Sequence, residues 1–287
     1  MTPQELTDLV ERYRRDGFVH ARGLIPAGEV EMLASAVDDA VAKRKAHDTR
    51  PLSEKSPYEQ SFIQCQYLWE DFPGVRGLTF HQRLGEALGA LLNAEKVRLW
   101  HDQALYKEAG GRETEPHQDH AYWPIAEEDT ITAWIPLGPV DEVTGCMGYV
   151  PGSHRADLEF VDIFRTPGAG HDLLQRQTTE PVFIPARPGD VLFHHGRTVH
   201  MAKPNLSDHM RRAYTAIYFK DGCTRAGDRP HPSVDRDRIP LGGKIAGGAT
   251  PVVWPLTHGA FPEPTAWPQS DDERVEQRRR MGVIPGA

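Results

Sequence analysis

The chain has 287 residues, of which 39% are hydrophobic and 26% are charged, so it can bury a full core and is not disordered. Its 33 basic and 41 acidic residues give a formal net charge of -8, without the basic stripe that nucleic acid or an anionic membrane surface selects. The three cysteines are odd in number and widely spaced, which argues against a disulfide framework and a CxxC metal site and favours a reducing compartment.

The first third of the chain is predicted to be mostly helical. The opening "TPQEL" offers an N-cap threonine, a proline at the first helical position and a capping-box glutamate, so we expect a helix from Pro3 to Asp16. The further predictions in this part are a strand in "FVHARGLI", a second helix to about Lys45, a polar loop over residues 46–60 and a third helix in "LTFHQRLGEALGALLNA".

Short strands separated by turn residues replace the helical pattern from about residue 96. They suffice for a double-sheet jelly roll, so the expected fold is mainly β with N-terminal helices. Because no repeat and no linker is visible, we expect a single domain. Its parts are helical support over residues 1–95, a jelly-roll core over 96–222 and a Pro/Gly-rich wrap over 223–287 that ends in a short helix in "DDERVEQRRRMG". The strand candidates are residues 97–107, 131–137, 148–150, 181–184, 191–194 and 213–219.

Two histidines, two acidic residues and two large aromatic residues crowd into "EPHQDHAYWPI" at residues 115–125. His117 and Asp119 are one residue apart, so on an extended segment both side chains face the same way. Imidazole and carboxylate together suit a borderline divalent ion. Two histidines and one carboxylate that leave open positions are typical of non-haem Fe(II) oxygenases, so a third ligand is required downstream.

The stretch "RPGDVLFHHGRTVHMAKPNLSDHMRRAYTAIYF" supplies that ligand. We expect a hairpin that brings His200 and Arg211 onto neighbouring antiparallel strands. A 2-oxo acid would then chelate the metal at one end, and the guanidinium would hold its distant carboxylate through a bidentate fork. Arg212 is the nearest rival of Arg211, but adjacent strand residues face opposite sides of a sheet.

The set "PHQDHAYW", "TAWIPL", "GCMGYVPGSH", "RPGDVLFHHGRTVH" and "NLSDHMRRA", in this order, resembles the phytanoyl-CoA dioxygenase family of Fe(II)- and 2-oxoglutarate-dependent oxygenases. The resemblance runs from "RDGFV" to about residue 220. It implies a cupin-like double-stranded β-helix. It also implies oxidation of a small substrate by O2, coupled to conversion of 2-oxoglutarate to succinate and CO2. Family members act on acyl thioesters, small polar solutes and secondary metabolites.

The same resemblance assigns roles to individual residues. His117, Asp119 and His200 correspond to the iron ligands, and Arg211 corresponds to the arginine that binds the far carboxylate of 2-oxoglutarate. Ala202 stands where many members have serine, which removes one co-substrate hydrogen bond. Because halogenating relatives replace the acidic ligand with a small residue, the retained Asp119 favours hydroxylation. Further co-substrate contacts are implied for Lys107, Trp134 and Asn205.

Several alternatives remain open at this stage. His194 and His195 are rivals of His200 as the third ligand, although packing or ligand support is the favoured interpretation of both. A sensor that binds iron and 2-oxoglutarate without turnover and a Zn-dependent hydrolase are the rival functions. Residues 46–62 and 155–180 are candidate lids.

The expected partners are a small-molecule substrate and O2, with no nucleic acid and no membrane. No apolar run approaches the roughly 20 residues that a membrane span requires, and no signal region precedes the first helix. We therefore expect a cytoplasmic protein.

Overall fold

A computed structural model describes residues 1–163, 166, 168–256 and 261–267 of the chain. Two antiparallel sheets enclose a cavity between them, and helices pack on the outer face of the larger sheet. The predicted jelly roll flanked by helices is therefore confirmed. The helix expected in "DDERVEQRRRMG", residues 271–282, lies outside the described residues.

The first helix begins and ends where its capping residues predict. Thr2 Oγ1 accepts a hydrogen bond from the backbone N–H of Glu5, and the Glu5 side chain accepts one from the backbone N–H of Thr2, at 3.2 and 2.7 Å. Gly17 ends the helix with φ of 82°, a conformation that glycine adopts without strain. The helix α1 therefore spans Pro3–Asp16 as predicted.

Two sequence predictions in the helical part are corrected. The third predicted helix is interrupted, because His81 takes an extended backbone with ψ of 129°. The predicted loop over residues 46–60 contains a short helix, for which "SPYE" provides a capping box at Ser56 and Glu59. None of the described helices combines the length and apolar character that crossing a bilayer requires. The remaining helices are α2 Ala27–Lys45, α3 Pro57–Ser61, α4 Leu68–Asp71, α5 Arg76–Thr79, α6 Gln82–Leu91, α7 Ala169–Gln175 and α8 Pro232–Asp235, with 3-10 turns at Leu52–Glu54, Pro73–Val75, His120–Tyr122 and Ser153–Arg155.

The strands form one sheet of seven and one of four. The strands are β1 Phe18–Ala21, β2 Ile63–Gln66, β3 Val97–Lys107, β4 Thr114–His117, β5 Thr130–Pro136, β6 Met147–Tyr149, β7 Val182–Ile184, β8 Val191–His195, β9 His200–Ala202, β10 Arg211–Lys220 and β11 Val252–Trp254. The large sheet has the order β1-β8-β5-β10-β3-β11, with β2 also paired to β3, and the small sheet has the order β4-β9-β6-β7.

Successive side chains on the strands of the large sheet point to opposite faces, one packed against the helices and the other facing the cavity. On β10, Tyr214, Ala216 and Tyr218 belong to the core shared with the helices. Arg211 and Thr215 face the other way and line the cavity. Polar side chains on the face opposite the helices therefore line the cavity between the two sheets.

The predicted hairpin between the strands of His200 and Arg211 is wrong. Strand β9 pairs with β4 and β6 in the small sheet, whereas β10 pairs with β3 and β5 in the large sheet. The connection over residues 203–210 crosses from one sheet to the other. His200 and Arg211 nevertheless line the same cavity, from opposite sheets.

Candidate active site

Strand pairing in the small sheet brings the three predicted metal ligands together. His117 ends β4 and His200 begins β9, and the two residues are direct partners in the register. Asp119 follows at φ of -65° and ψ of -46°, so it lies in a helical turn. The prediction that Asp119 lies on an extended segment is therefore wrong. The turn still directs Asp119 Oδ1 to 3.6 Å from Nε2 of both histidines. One ligand atom from each of the three residues lies within 4.8 Å of the others.

Backbone carbonyl groups fix the tautomers of both histidines. His117 Nδ1 lies 2.8 Å from the Glu115 carbonyl oxygen, and His200 Nδ1 lies 3.0 Å from the Thr198 carbonyl oxygen. Because a carbonyl oxygen only accepts hydrogen bonds, each Nδ1 carries the proton and each Nε2 presents a lone pair. Two lone pairs and a carboxylate oxygen thus converge, which suits a bound cation. The residues fit the iron that the family resemblance implies.

The second oxygen of Asp119 is held in place by the large sheet. Thr132 donates its hydroxyl hydrogen to Oδ2 at 2.9 Å, and His194 Nε2 lies 3.2 Å from the same oxygen. Burial alone would raise the pKa of Asp119, but attraction to His200 and the hydrogen bond from His194 hold it well below its usual value. Asp119 is therefore an anion with one oxygen directed at the two histidines.

The rival histidines have other positions. His194 Nε2 is bonded to Asp119 and supports the carboxylate. His195 faces the opposite side of β8, where its ring contacts Tyr13 and His154 at centroid distances of 6.4 and 5.5 Å. Burial lowers the pKa of His195 to about 3, so this imidazole is neutral.

Arg211 lies in a cavity of about 450 Å³ that the metal ligands also line. Its side chain is 4% exposed, its Nε has no hydrogen-bond partner, and no ion pair joins it to an acidic side chain of the described residues. Trp134 packs against the guanidinium at 5.4 Å from its Cζ to the ring centroid. Burial lowers the pKa of Arg211 to about 10, which leaves the group cationic at neutral pH. A buried cation without a carboxylate suits the far carboxylate of 2-oxoglutarate.

Arg212 takes the opposite face of the sheet. It pairs with Asp38 and donates to the Leu137 carbonyl oxygen at 3.1 Å. Arg211 and Arg212 therefore lie on different sides of β10, and Arg211 is the one that lines the cavity.

Lys107 is bonded within the protein. Although fully buried, it is not among the side chains that line the cavity. Its ammonium donates to the carbonyl oxygen of Arg112 and approaches Thr114 Oγ1 at 3.4 Å. Burial and the nearby charge of Arg211 lower its pKa well below the usual value. The described geometry thus holds the Lys107 ammonium in the neighbouring turn, and its contact with the co-substrate stays a prediction.

Asn205 is likewise used within the protein. Its amide nitrogen donates to the carbonyl oxygens of Lys107, Glu108 and His209 at 3.1, 3.0 and 2.7 Å. Its oxygen accepts from the backbone and hydroxyl of Ser207 at 3.1 and 2.6 Å. The side chain orders the crossing between the two sheets, and its contact with the co-substrate stays a prediction.

The sequence reasoning missed part of the cavity wall. Tyr58 and Phe62, from the first candidate lid, line the cavity, but whether this segment closes stays a prediction. In the second candidate lid, the described Ile163 donates its backbone N–H to Tyr122 Oη at 3.2 Å, and residues 164, 165 and 167 lie outside the described residues. The Pro/Gly-rich wrap over residues 223–287 contributes to the cavity as well, because residues 230–232 and Asp235 line it.

Polar side chains on β2, β3 and β10 form the rest of this wall. The "IQCQ" segment alternates polar and apolar residues, which is a strand signal, but it is only 4 residues long. Thr132 and Thr215 give no signal beyond the β-propensity of threonine.

Comparisons with known proteins point to one family of oxygenases. The family model described as phytanoyl-CoA dioxygenase matches residues 13–213. A probable alpha-ketoglutarate-dependent hypophosphite dioxygenase of Stutzerimonas stutzeri is 28% identical over 170 residues, which are 55% of this chain and 59% of that protein.

Two solved structures show a similar fold over most of their length. The carbocyclase SnoK from nogalamycin biosynthesis is 29% identical, with a TM-score of 0.70 over 85% of this chain and 95% of that chain. The epimerase SnoN, in complex with Fe3+, alpha-ketoglutarate and nogalamycin RO, is 28% identical, with a TM-score of 0.71 over 88% of this chain and 100% of that chain. The matched family model and the assembled ligand set show that the chain belongs to the phytanoyl-CoA dioxygenase family of iron- and 2-oxoglutarate-dependent oxygenases.

Proposed function

We propose that the chain hydroxylates a small organic molecule with iron(II), 2-oxoglutarate and O2. One oxygen atom of O2 enters the substrate in place of a C–H hydrogen, which becomes the hydroxyl hydrogen. The other oxygen atom enters succinate as 2-oxoglutarate loses CO2. The observation that carries the proposal is the shared cavity, in which three metal-binding groups meet the buried Arg211, whose charge has no acidic partner among the described residues.

Each residue has a distinct task in this proposal. His117, Asp119 and His200 would hold the iron, which when bound supplies oxygen activation and substrate oxidation. Arg211 binds the far carboxylate of 2-oxoglutarate, and Trp134 packs along the guanidinium and limits its orientation. The carboxylate ligand is present, so the position that chloride occupies in halogenating relatives is filled. Hydroxylation is therefore the proposed outcome.

We further propose a cytoplasmic, reducing environment. Cys65, Cys146 and Cys223 are all free and buried, which is compatible with a compartment that keeps thiols reduced. The cavity between the sheets suits a small-molecule substrate and O2 as the partners.

Anaerobic spectroscopy followed by a succinate assay tests the proposal. Addition of Fe(II) and 2-oxoglutarate should give a weak metal-to-ligand charge-transfer band, which a zinc hydrolase would not give. Exposure to O2 with a panel of candidate substrates should then release succinate in proportion to a product that has gained one oxygen atom. A band without succinate release from any compound would favour the sensor.

The Asp119→Gly variant tests whether Asp119 is a metal ligand. It should lose most hydroxylation, because it removes one of the three metal ligands. Hydroxylation at nearly the parental rate in this variant would show that Asp119 is not a ligand.

A further inference from the structure

A row of carboxamide side chains lines one wall of the cavity. Gln64 and Gln66 lie on β2, and Gln103 lies opposite Gln66 on β3. On the other side of Gln103, the register places Thr215 of β10. The wall therefore crosses three neighbouring strands and belongs to the rigid sheet.

Hydrogen bonds orient the central amide of this wall. Gln64 Nε2 donates to Gln103 Oε1 at 2.6 Å, and Gln66 Nε2 approaches the same oxygen at 3.4 Å. The Tyr58 hydroxyl donates to Gln64 Oε1, which fixes the direction of the chain of bonds. Gln103 Oε1 accepts both of these bonds, and the amide nitrogen of Gln103 has no hydrogen-bond partner among the described residues.

A second unpaired polar group adjoins this donor. Thr215 is 2% exposed, and its hydroxyl has no hydrogen-bond partner in the described structure. Buried hydroxyl groups without a partner are rare in folded proteins, because burial removes their bonds to water. The pair of Gln103 and Thr215 is therefore placed to bind an oxygen atom of a ligand.

Charge in this wall is low. Arg211 is the only lysine or arginine among the described side chains that line the cavity. The carboxylate of Asp235 is already paired with Arg225 at 2.8 Å. His101 and His231 are neutral, because burial lowers the pKa of the first to about 4 and that of the second well below its usual value. Once Arg211 holds 2-oxoglutarate, no described cation of this lining is left for an anionic substrate.

Apolar rings supply the remaining surface. Phe62, Tyr122, Trp123, Pro230 and Pro232 all line the cavity. Such rings bury the faces of a ligand, while the few polar groups fix its orientation.

We propose that Gln103, oriented by Gln64 and Gln66, and Thr215 form a substrate subsite for a neutral, oxygen-bearing ring compound. This inference rests on the proposed function, since it names the substrate class of the same cavity. The donor of Gln103 takes a carbonyl oxygen of the substrate, and the rings hold its apolar faces. The chemistry differs from that of hypophosphite or a coenzyme A thioester, whose negative charges require cations.

Three matched probes test the subsite by calorimetry on the full chain loaded anaerobically with Fe(II) and 2-oxoglutarate. The probes are 7-methoxycoumarin, 2-methoxynaphthalene and 7-methoxycoumarin-3-carboxylate. The lactone carbonyl should make the coumarin bind about two- to tenfold more tightly than the naphthalene, the effect of one hydrogen bond. The carboxylate probe should bind at least about tenfold more weakly than the coumarin, because its charge is buried without a counter-charge.

Variants locate the effect. Gln103→Leu should abolish the preference for the coumarin over the naphthalene, while Gln82→Leu, an exposed glutamine on α6, should keep it. Gln66→Lys should improve binding of the carboxylate probe at least about tenfold, because it places a cation in the wall. Thermal unfolding of each variant checks that it is folded.

Each result decides the inference. A carboxylate probe that binds as tightly as the coumarin, no measurable coumarin binding, or a preference that survives Gln103→Leu would overturn the subsite. The charge-transfer band of the parent reports separately on the proposed function. If the band is absent, the same titrations on the metal-free chain still test the subsite.

Discussion

Removal of the Arg211 guanidinium should cost the protein most of its affinity for 2-oxoglutarate. The side chain is 4% exposed and has no acidic partner among the described residues, so its charge is available to a ligand. In Arg211→Ala, the far carboxylate of 2-oxoglutarate would be buried without a counter-charge. Loss of one partner of such a pair costs about 2 to 5 kcal/mol, which is about 30-fold to several thousand-fold in the dissociation constant.

Two further variants define the source of the effect. Arg211→Lys should recover only part of the loss, because an ammonium cannot form the planar two-bond fork. Arg212→Ala removes the neighbouring charge but faces the helices, where its ion pair with Asp38 is about one-third exposed on each side. We expect it to change the co-substrate affinity by less than about threefold, or about 0.7 kcal/mol, and the stability by about 0 to 1 kcal/mol.

The measurement is the dissociation constant of 2-oxoglutarate, from anaerobic titration of the charge-transfer band in the Fe(II)-loaded parent and the three variants. Fe(II) binding without 2-oxoglutarate serves as the control for an intact metal site. A larger loss of affinity in Arg212→Ala than in Arg211→Ala would refute both the assignment of Arg211 to the far carboxylate of 2-oxoglutarate and the placement of the two arginines on opposite faces of β10.

Further predictions concern the metal ligands and the core. His200→Ala should abolish Fe(II) binding in a metal titration, whereas His195→Ala should keep it near the parental value; tight binding by the first variant would show that the third ligand is wrong. Thr132→Val removes the hydrogen bond to Asp119 Oδ2 and should weaken Fe(II) binding about tenfold, measured against a competing chelator. Burial raises the pKa of Asp102 to about 7, above the value of about 3.9 in an unfolded chain, so the folded protein keeps a proton that the unfolded chain releases between these values. The free energy of unfolding should therefore fall as the pH rises from about 4 to 7, by up to about 1.4 kcal/mol per pH unit. Urea unfolding at pH 5 and 8 measures this fall, which should be smaller for Asp102→Asn than for the parent.

Local physical rules made much of the fold predictable. The capping residues of α1 lie 3 residues apart, so the start of this helix can be predicted without knowledge of the rest of the chain. The alternation of β10 separates Arg211 from Arg212 for the same reason, since neighbouring side chains on a strand always diverge. The spacing of His117 and Asp119 identified a ligand pair even though the backbone between them turns.

Only the tertiary structure decided which strands pair and which polar groups reach the cavity. Strand partners are chosen by burial across the whole molecule, and no local feature of residues 203–210 reveals that this connection changes sheets. Asn205 therefore orders a crossing between sheets, and Lys107 is held in a turn. The wall built on Gln103 depends on the pairing of β2 with a strand far away in sequence. The sequence determined the metal-binding chemistry, because ligand type and spacing carry it, while the cavity emerged only from contacts between distant segments.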